Sequence, residues 1–188
     1  MITLKTDDMA PDFAMIDLNG DTIRLADYKG EKVLLSFFRY ATCPFCTVRF
    51  VRLTQEVERY AEQGIQVIAV FESSSDYIQE YLGRRGLPFP VIPDPQGELY
   101  ARYGIKKSLP GLMLGMFRMP TMLRALFDPD YRMAKPDADI TRIPADFLIG
   151  TDQIIADSYY GSDIGDHIPF KRIDSFAEQG VDVMMSHT

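Results

Sequence analysis

The stretch KVLLSFFRYATCPFCTVRF, residues 32–50, decides how the chain is read. KVLLSFF is a nearly unbroken apolar run, the pattern of a central strand buried on both faces. It stops at Cys43 and Cys46, the only two cysteines in the chain. PFCTVRFVRLTQEVERYAEQG follows, with Val48, Val51, Leu53, Val57 and Tyr60 at helical spacing and Gly64 at its end. A strand therefore ends, and a helix begins, at a C-x-x-C. The pair could be a redox couple, half a metal site or a structural staple.

Working outward, DFAMIDLNGDTIRLADY alternates apolar and polar residues around Asn19-Gly20, a hairpin signal. IQVIAVF reads as a second buried strand, SSSDYIQEYLGRRG as a short helix with serines available as caps, FPVIPD as a brief strand and ELYARYGI as a short helix. ADFLIG and IIADSYYG are two strands joined as a hairpin by GTDQ, and PFKRIDSFAEQG is a closing amphipathic helix. Strand–helix–strand units with right-handed crossovers give an α/β fold with a mixed central sheet flanked by helices. Reactive sites favour the carboxyl ends of strands in such sheets, where the cysteines fall.

The 188 residues suit one domain, 1–188, with an insertion at about 108–141. That insertion, SLPGLMLGMFRMPTMLRALFDPDYRMAKPDADIT, holds five of the ten methionines and is helical in its first part, with Pro120 breaking or restarting the helix. Met-rich core filling is one reading; a lid or an oligomer interface is the other. Residues 109–127 are expected to be covered by the body of the domain or by a partner, with Arg118 and Arg124 on the outer face.

Apolar residues make up 46% and charged residues 25%, so a full hydrophobic core is available without disulfides. The net charge of −7 gives no electrostatic reason to expect nucleic acid or an anionic membrane as partner. The start of the chain has no apolar block of a secretory signal, and no apolar run approaches the roughly 20 residues that span a bilayer. The expected location is the cytoplasm, where structural disulfides are rare.

That location weakens the staple. A zinc site would need His167 and His187, whose spacing matches no common zinc module. Inert core cysteines remain an alternative. Pro44 suits the first turn of a helix, placing Cys43 at or near the N-cap and Cys46 in the first turn, where free N–H groups and the helix dipole stabilise a thiolate. Two thiols at this spacing can also cycle through a disulfide. The geometry turns Cys46 under the helix and leaves Cys43 the more exposed thiol. Arg39 is either a cation that lowers a thiolate pKa or a solvated strand-end residue. Thr42 is placed to donate its hydroxyl to a sulfur or to act as a local cap. Tyr40 covers the site, and His167 is read as structural, with a proton relay as the alternative.

APDFAMIDLNGDTIRLADYKGEKVLLSFF resembles the opening of the peroxiredoxins of the alkyl hydroperoxide reductase/thiol-specific antioxidant (AhpC/TSA) family. RIPADFLIGTDQIIADSYYG resembles the late hairpin of thioredoxin-fold redox proteins. With CPFC and YYGSDIGDHIP, the chain is most similar to a peroxiredoxin-like branch carrying a C-x-x-C, over most of its length apart from the insertion.

The resemblance implies a thioredoxin-like fold with an N-terminal hairpin, and a thiol-dependent enzyme that needs no cofactor. Laid on the family motif P-x-x-x-T/S-x-x-C, Cys46 takes the attacking position, Cys43 that of the threonine and Arg39 that of the proline. Pro144 takes the place of the family's supporting arginine. Ile143-Pro144 looks like the cis-proline of thioredoxins, which would make Cys43 the exposed nucleophile. The implied activity is peroxide reduction through a Cys43/Cys46 dithiol–disulfide cycle, with a thioredoxin- or glutathione-type reductant. The alternatives are a protein disulfide reductase and a redox-sensing binding protein. A homodimer is a further expectation, tied to the Met-rich insertion.

Overall fold

The computed structural model describes residues 3–178. His187 and the last two residues of the expected closing helix, Gln179 and Gly180, lie outside them. A five-stranded sheet runs in the order β5-β4-β3-β6-β7, from β3 (Lys32–Phe37), β4 (Ile65–Phe71), β5 (Val91–Pro93), β6 (Ala145–Ile149) and β7 (Ile155–Tyr160). β3, β4 and β5 are parallel, with Leu35 opposite Ile68 and Val70 opposite Ile92. β6 joins β3 antiparallel, and β7 joins β6 the same way. β1 (Ala14–Ile16) and β2 (Thr22–Arg24) form a separate antiparallel hairpin, as their alternation predicts.

Residues of β3 face alternate sides, and both sides are covered. Leu34 packs with Phe38, Val67, Ala69 and Phe71 beneath Phe50, Leu53 and Tyr60 of α1 (Pro44–Glu62) and Ile173 and Phe176 of α6 (Phe170–Glu178). Val33, Leu35 and Phe37 face Leu25, Tyr100 and Tyr103 on the other side. Each fully buried large apolar side chain contributes about 1.5–3 kcal/mol, so two cores on one sheet hold β3 firmly at the centre. The end of this strand is the fixed point from which the cysteines are presented. Between β4 and β5 runs α2 (Ser75–Tyr81), and α3 (Glu98–Arg102) follows β5.

The Met-rich segment forms α4 (Leu109–Gly115) and α5 (Met119–Leu126). Ser108 caps α4, its hydroxyl accepting from the Gly111 N–H at 3.0 Å. Pro120 sits in the first turn of α5, so it starts a helix rather than breaking one. Gly115 lets α4 lie close to the body, since a Cβ there would fall 2.1 Å from Ile164 Cγ1.

Of the two covers expected for this segment, the body of the domain does not supply one for its largest side chains. Met113, Met116, Phe117, Leu123, Leu126 and Phe127 are exposed, Phe117 at 82% and Phe127 at 84%, so the described residues do not cover them. The inward face holds the small residues Gly111, Gly115 and Ala125, which allow close approach, with Leu112 and Met122 half-buried against the core beside them. Arg118 keeps its side chain 41% exposed while pairing with Asp163, a carboxylate 4% exposed, with Nε at 3.0 Å and Nη2 at 2.8 Å from Oδ2. Arg124 is exposed, as expected. No helix among the described residues is long and apolar enough to cross a membrane.

Candidate active site

β3 ends at Phe37, and residues 38–42 turn the chain into α1. Phe38 extends the parallel ladder, its N–H donating to the Val70 carbonyl at 2.8 Å. Cys43 is the N-cap of α1 and Pro44 lies in its first turn, as the sequence predicts. The Cys43 carbonyl takes the first helical bond, from the Thr47 N–H at 2.9 Å, and also accepts from the Thr47 hydroxyl at 3.1 Å. Both thiols are free.

Arg39 touches both sulfurs. Its Nη1 donates to Cys43 Sγ at 3.1 Å and its backbone N–H to Cys46 Sγ at 3.3 Å. It is 1% exposed rather than solvated, and its guanidinium lies 5.0 Å from the centre of the Tyr40 ring. Nη2 donates to the Ile140 carbonyl, a partner 101 residues away. A guanidinium keeps its charge on burial, so the sulfurs in contact with it sit in a permanently positive environment.

The two thiols are driven apart electrostatically. Burial pushes the Cys43 thiol up. Hydrogen bonds from the Cys46 thiol and backbone N–H, with the charge and hydrogen bond of Arg39, outweigh it and bring Cys43 down to about 6. Cys46 goes the other way: burial, then its hydrogen bond to Cys43 and the Cys43 charge, hold it protonated against Arg39. The pair is thus one thiolate and one thiol.

The expected difference in exposure is not there. Cys43 is 0% and Cys46 1% exposed, because a strap of residues 131–140 lies over the turn. Tyr131 donates its hydroxyl to the Thr42 carbonyl at 3.2 Å, and Ile140 accepts from Arg39. Asp137 anchors the strap, accepting from the Ser73 hydroxyl at 2.7 Å and the Ser74 N–H at 3.1 Å, while the Tyr77 hydroxyl donates to the Lys135 carbonyl. The covering segment is therefore residues 131–140, not residues 109–127.

Thr42 does not serve a sulfur. Its hydroxyl lies 3.4 Å from that of Tyr77 on α2. Pro144 is not a cis residue, since every peptide bond among the described residues is trans. The Ile143 N–H donates to the Lys106 carbonyl at 3.1 Å and the Pro144 carbonyl accepts from the Gly161 N–H at 3.0 Å. The chain thus enters β6 already extended. Pro144 lines a cavity of about 240 Å³ with Lys106, Ser108, Gly161 and Ser162.

The nearby arginine is Arg142, which is spent on Glu72 and on the Ile105 carbonyl at 3.0 Å. His167 is fixed by Asp146, with Nδ1 3.1 Å from Oδ2, and packs 4.9 Å from the Phe38 ring. Among the described residues, no group of three His, Cys, Asp or Glu is placed to hold a metal.

Residues 6–158 match the AhpC/TSA family. The chain belongs to that family. It is similar to peroxiredoxin Bcp of Escherichia coli, at 26% identity over 113 residues, 59% of this chain and 72% of that protein. It is also similar to the thiol-disulfide oxidoreductase ResA of Bacillus thuringiensis, at 32% identity over 97 residues, 51% of this chain and 56% of that one. The crystal structure of peroxidoxin BcpB from Mycobacterium tuberculosis shares the thioredoxin-like fold, with a TM-score of 0.65 at 18% identity over 98% of this chain and 99% of that one. This AhpC/TSA chain is a thiol-dependent oxidoreductase of the peroxiredoxin-like class.

Sequence reasoning missed Tyr131, Ile140 and Asp146. Only Asp146 carries a local signal, as the single charge inside the apolar strand ADFLI.

Proposed function

We propose that the chain reduces peroxides with Cys43 as the attacking thiolate and Cys46 as the resolving thiol. The contact of Arg39 Nη1 with Cys43 Sγ at 3.1 Å carries the assignment. It favours Cys43 over Cys46, although the family motif aligns the attacking position with Cys46. The Cys43 thiolate attacks one oxygen of the peroxide, the O–O bond breaks, and the other oxygen leaves as alkoxide or hydroxide and takes up a proton. Cys43 is then a sulfenic acid. Cys46 displaces its oxygen as water, giving the Cys43–Cys46 disulfide. An external dithiol of the thioredoxin type, or two equivalents of a glutathione-type thiol, restores the pair by exchange. Arg39 also supplies donors that can hold the peroxide oxygens as charge develops on them.

Burial of Cys43 under the strap supports small hydroperoxides over protein disulfides as the first substrate. Reduction of the disulfide by a protein then requires the strap to lift. The cycle needs no metal or flavin and suits a reducing compartment such as the cytoplasm. The apolar face of α4 and α5 supports a homodimer in which Phe117 and Phe127 are covered by a second copy. Peroxide consumption coupled to a thioredoxin-type reductant tests the reading. Turnover with hydrogen peroxide and little insulin reduction is expected; rapid insulin reduction without peroxide turnover would replace it with a disulfide reductase. Light scattering tests the dimer, and a monomer at micromolar concentration would remove it.

A further inference from the structure

A second polar site lies between α1 and the start of α6. A cavity of about 410 Å³ there is lined by Arg49, Arg52, Thr121, His167, Phe170 and Lys171, among others. Its lining holds three cations and no carboxylate, in a chain whose net charge is −7.

Two of its polar side chains hold buried nitrogens that make no hydrogen bond among the described residues. Arg49 is 8% exposed, and its Nε and Nη2 find no hydrogen bond among the described residues. The His167 side chain is 4% exposed, and its Nε2 is likewise unpaired. Buried polar groups left unpaired are costly and rare, so two in one cavity require an explanation.

The surroundings fix these groups in place. The guanidiniums of Arg49 and Arg52 lie 4.1 and 4.2 Å from the centre of one ring, that of Phe170. Asp146 does not offer an oxygen to Arg49. It accepts from the Ser36 hydroxyl, from the Ile168 N–H at 2.8 Å, and from His167 Nδ1. α6 begins at Phe170 on the same wall, and the first N–H groups of a helix attract anions.

We propose that this cavity binds a phosphate group, on Arg49 and Arg52 with His167 Nε2 as a third contact. The choice of phosphate over carboxylate rests on His167. The Asp146 carboxylate only accepts, so it keeps a proton on Nδ1. Nε2 then accepts an O–H when the ring is neutral and donates when it is protonated. Inorganic phosphate, or a phosphomonoester as its monoanion, carries both O⁻ and O–H and satisfies either state, whereas a carboxylate satisfies only the second. The guanidinium forks also match two phosphate oxygens each.

Calorimetric titration of the full chain with inorganic phosphate, a simple phosphomonoester such as phenyl phosphate, and acetate tests the site. Saturable phosphate binding is expected, weakened about tenfold by Arg52→Gln, the loss of one charge-assisted contact. Arg52 is exposed, so that variant keeps its fold, and Arg49→Lys gives a second reading at the buried position. Tighter binding of the monoester assigns the site to an organic phosphate, and equal or weaker binding to the free ion. Absence of saturable phosphate binding, binding unchanged in both variants, or acetate binding as tightly as phosphate would overturn the proposal.

Discussion

Arg39 Nη1 lies 3.1 Å from Cys43 Sγ, deep under the strap, while the backbone N–H of the same residue holds Cys46 Sγ at 3.3 Å. One residue at the end of the central strand therefore orients both sulfurs and charges only one of them. Replacing it by methionine keeps the bulk and removes the cation. The Cys43 pKa is expected to rise by about 1–3 units, and the thiolate fraction near neutral pH to fall about 2- to 100-fold. Ultraviolet thiolate absorbance against pH measures it. An unchanged titration would remove Arg39 from the mechanism.

The Cys43 thiol ionises at about 6 in the folded chain, below its ordinary value. The folded state thus holds fewer protons than the unfolded one between about 6 and about 8.5, and the stability of the reduced form rises with pH there. The contribution is fully present above the unfolded value and is lost as pH falls through about 6. The difference in unfolding free energy between the reduced wild type and Cys43→Ser should grow by at most about 1.4 kcal/mol per pH unit across that window. Denaturant unfolding at several pH values under reducing conditions checks it; a difference flat with pH would contradict the thiolate assignment.

The strap is held over the cysteines by Tyr131 and Asp137 rather than by a continuous apolar core. Tyr131→Ala removes the hydrogen bond to the Thr42 carbonyl and the bulk of the ring, easing the opening by about 1–2 kcal/mol, or about 5–30-fold in the open population. Alkylation of Cys43 by a bulky maleimide should accelerate by that factor while small peroxides gain less. Equal acceleration for both reagents would mean that the strap does not select by size.

Glu72 and Arg142 form a buried pair, with Nε 2.9 Å from Oε2, beneath the strand ends that carry the site. Glu72→Ala leaves an uncompensated guanidinium and is expected to cost about 3–5 kcal/mol. Chemical denaturation measures it, and a loss under 1 kcal/mol would show that the Ile105 carbonyl and Tyr100 ring suffice for Arg142.

Features set by neighbours in sequence were legible before the structure. The apolar runs of β3 and β4, the alternation of both hairpins, and Pro44 after an N-cap cysteine are local patterns with local causes. What failed depended on contacts across long separations. The burial of Arg39 rests on Ile140, and the covering of Cys43 on Tyr131, neither of which can be read near residue 43. Pro144 carries the same residue in an extended trans strand entry as in a cis turn, and only its bonds to Lys106 and Gly161 through the neighbouring backbone distinguish them. The apolar residues of α4 and α5 are plain in the sequence, but no hydrophobic pattern reveals that Leu112 and Met122 pack inward beside Gly111 and Gly115 while Phe117 and Phe127 stay outside.

In the proposed cycle Cys43, not Cys46, attacks the peroxide. Stopped-flow reaction of hydrogen peroxide with the reduced Cys43→Ser and Cys46→Ser variants, with sulfenic acid trapped and mapped by mass spectrometry, tests it most directly. Cys46→Ser should react once and carry a sulfenic acid on Cys43, and Cys43→Ser should react no faster than a free thiol. A fast reaction of Cys43→Ser with the sulfenic acid on Cys46 would contradict the account and restore the attacking role to the position the family motif assigns.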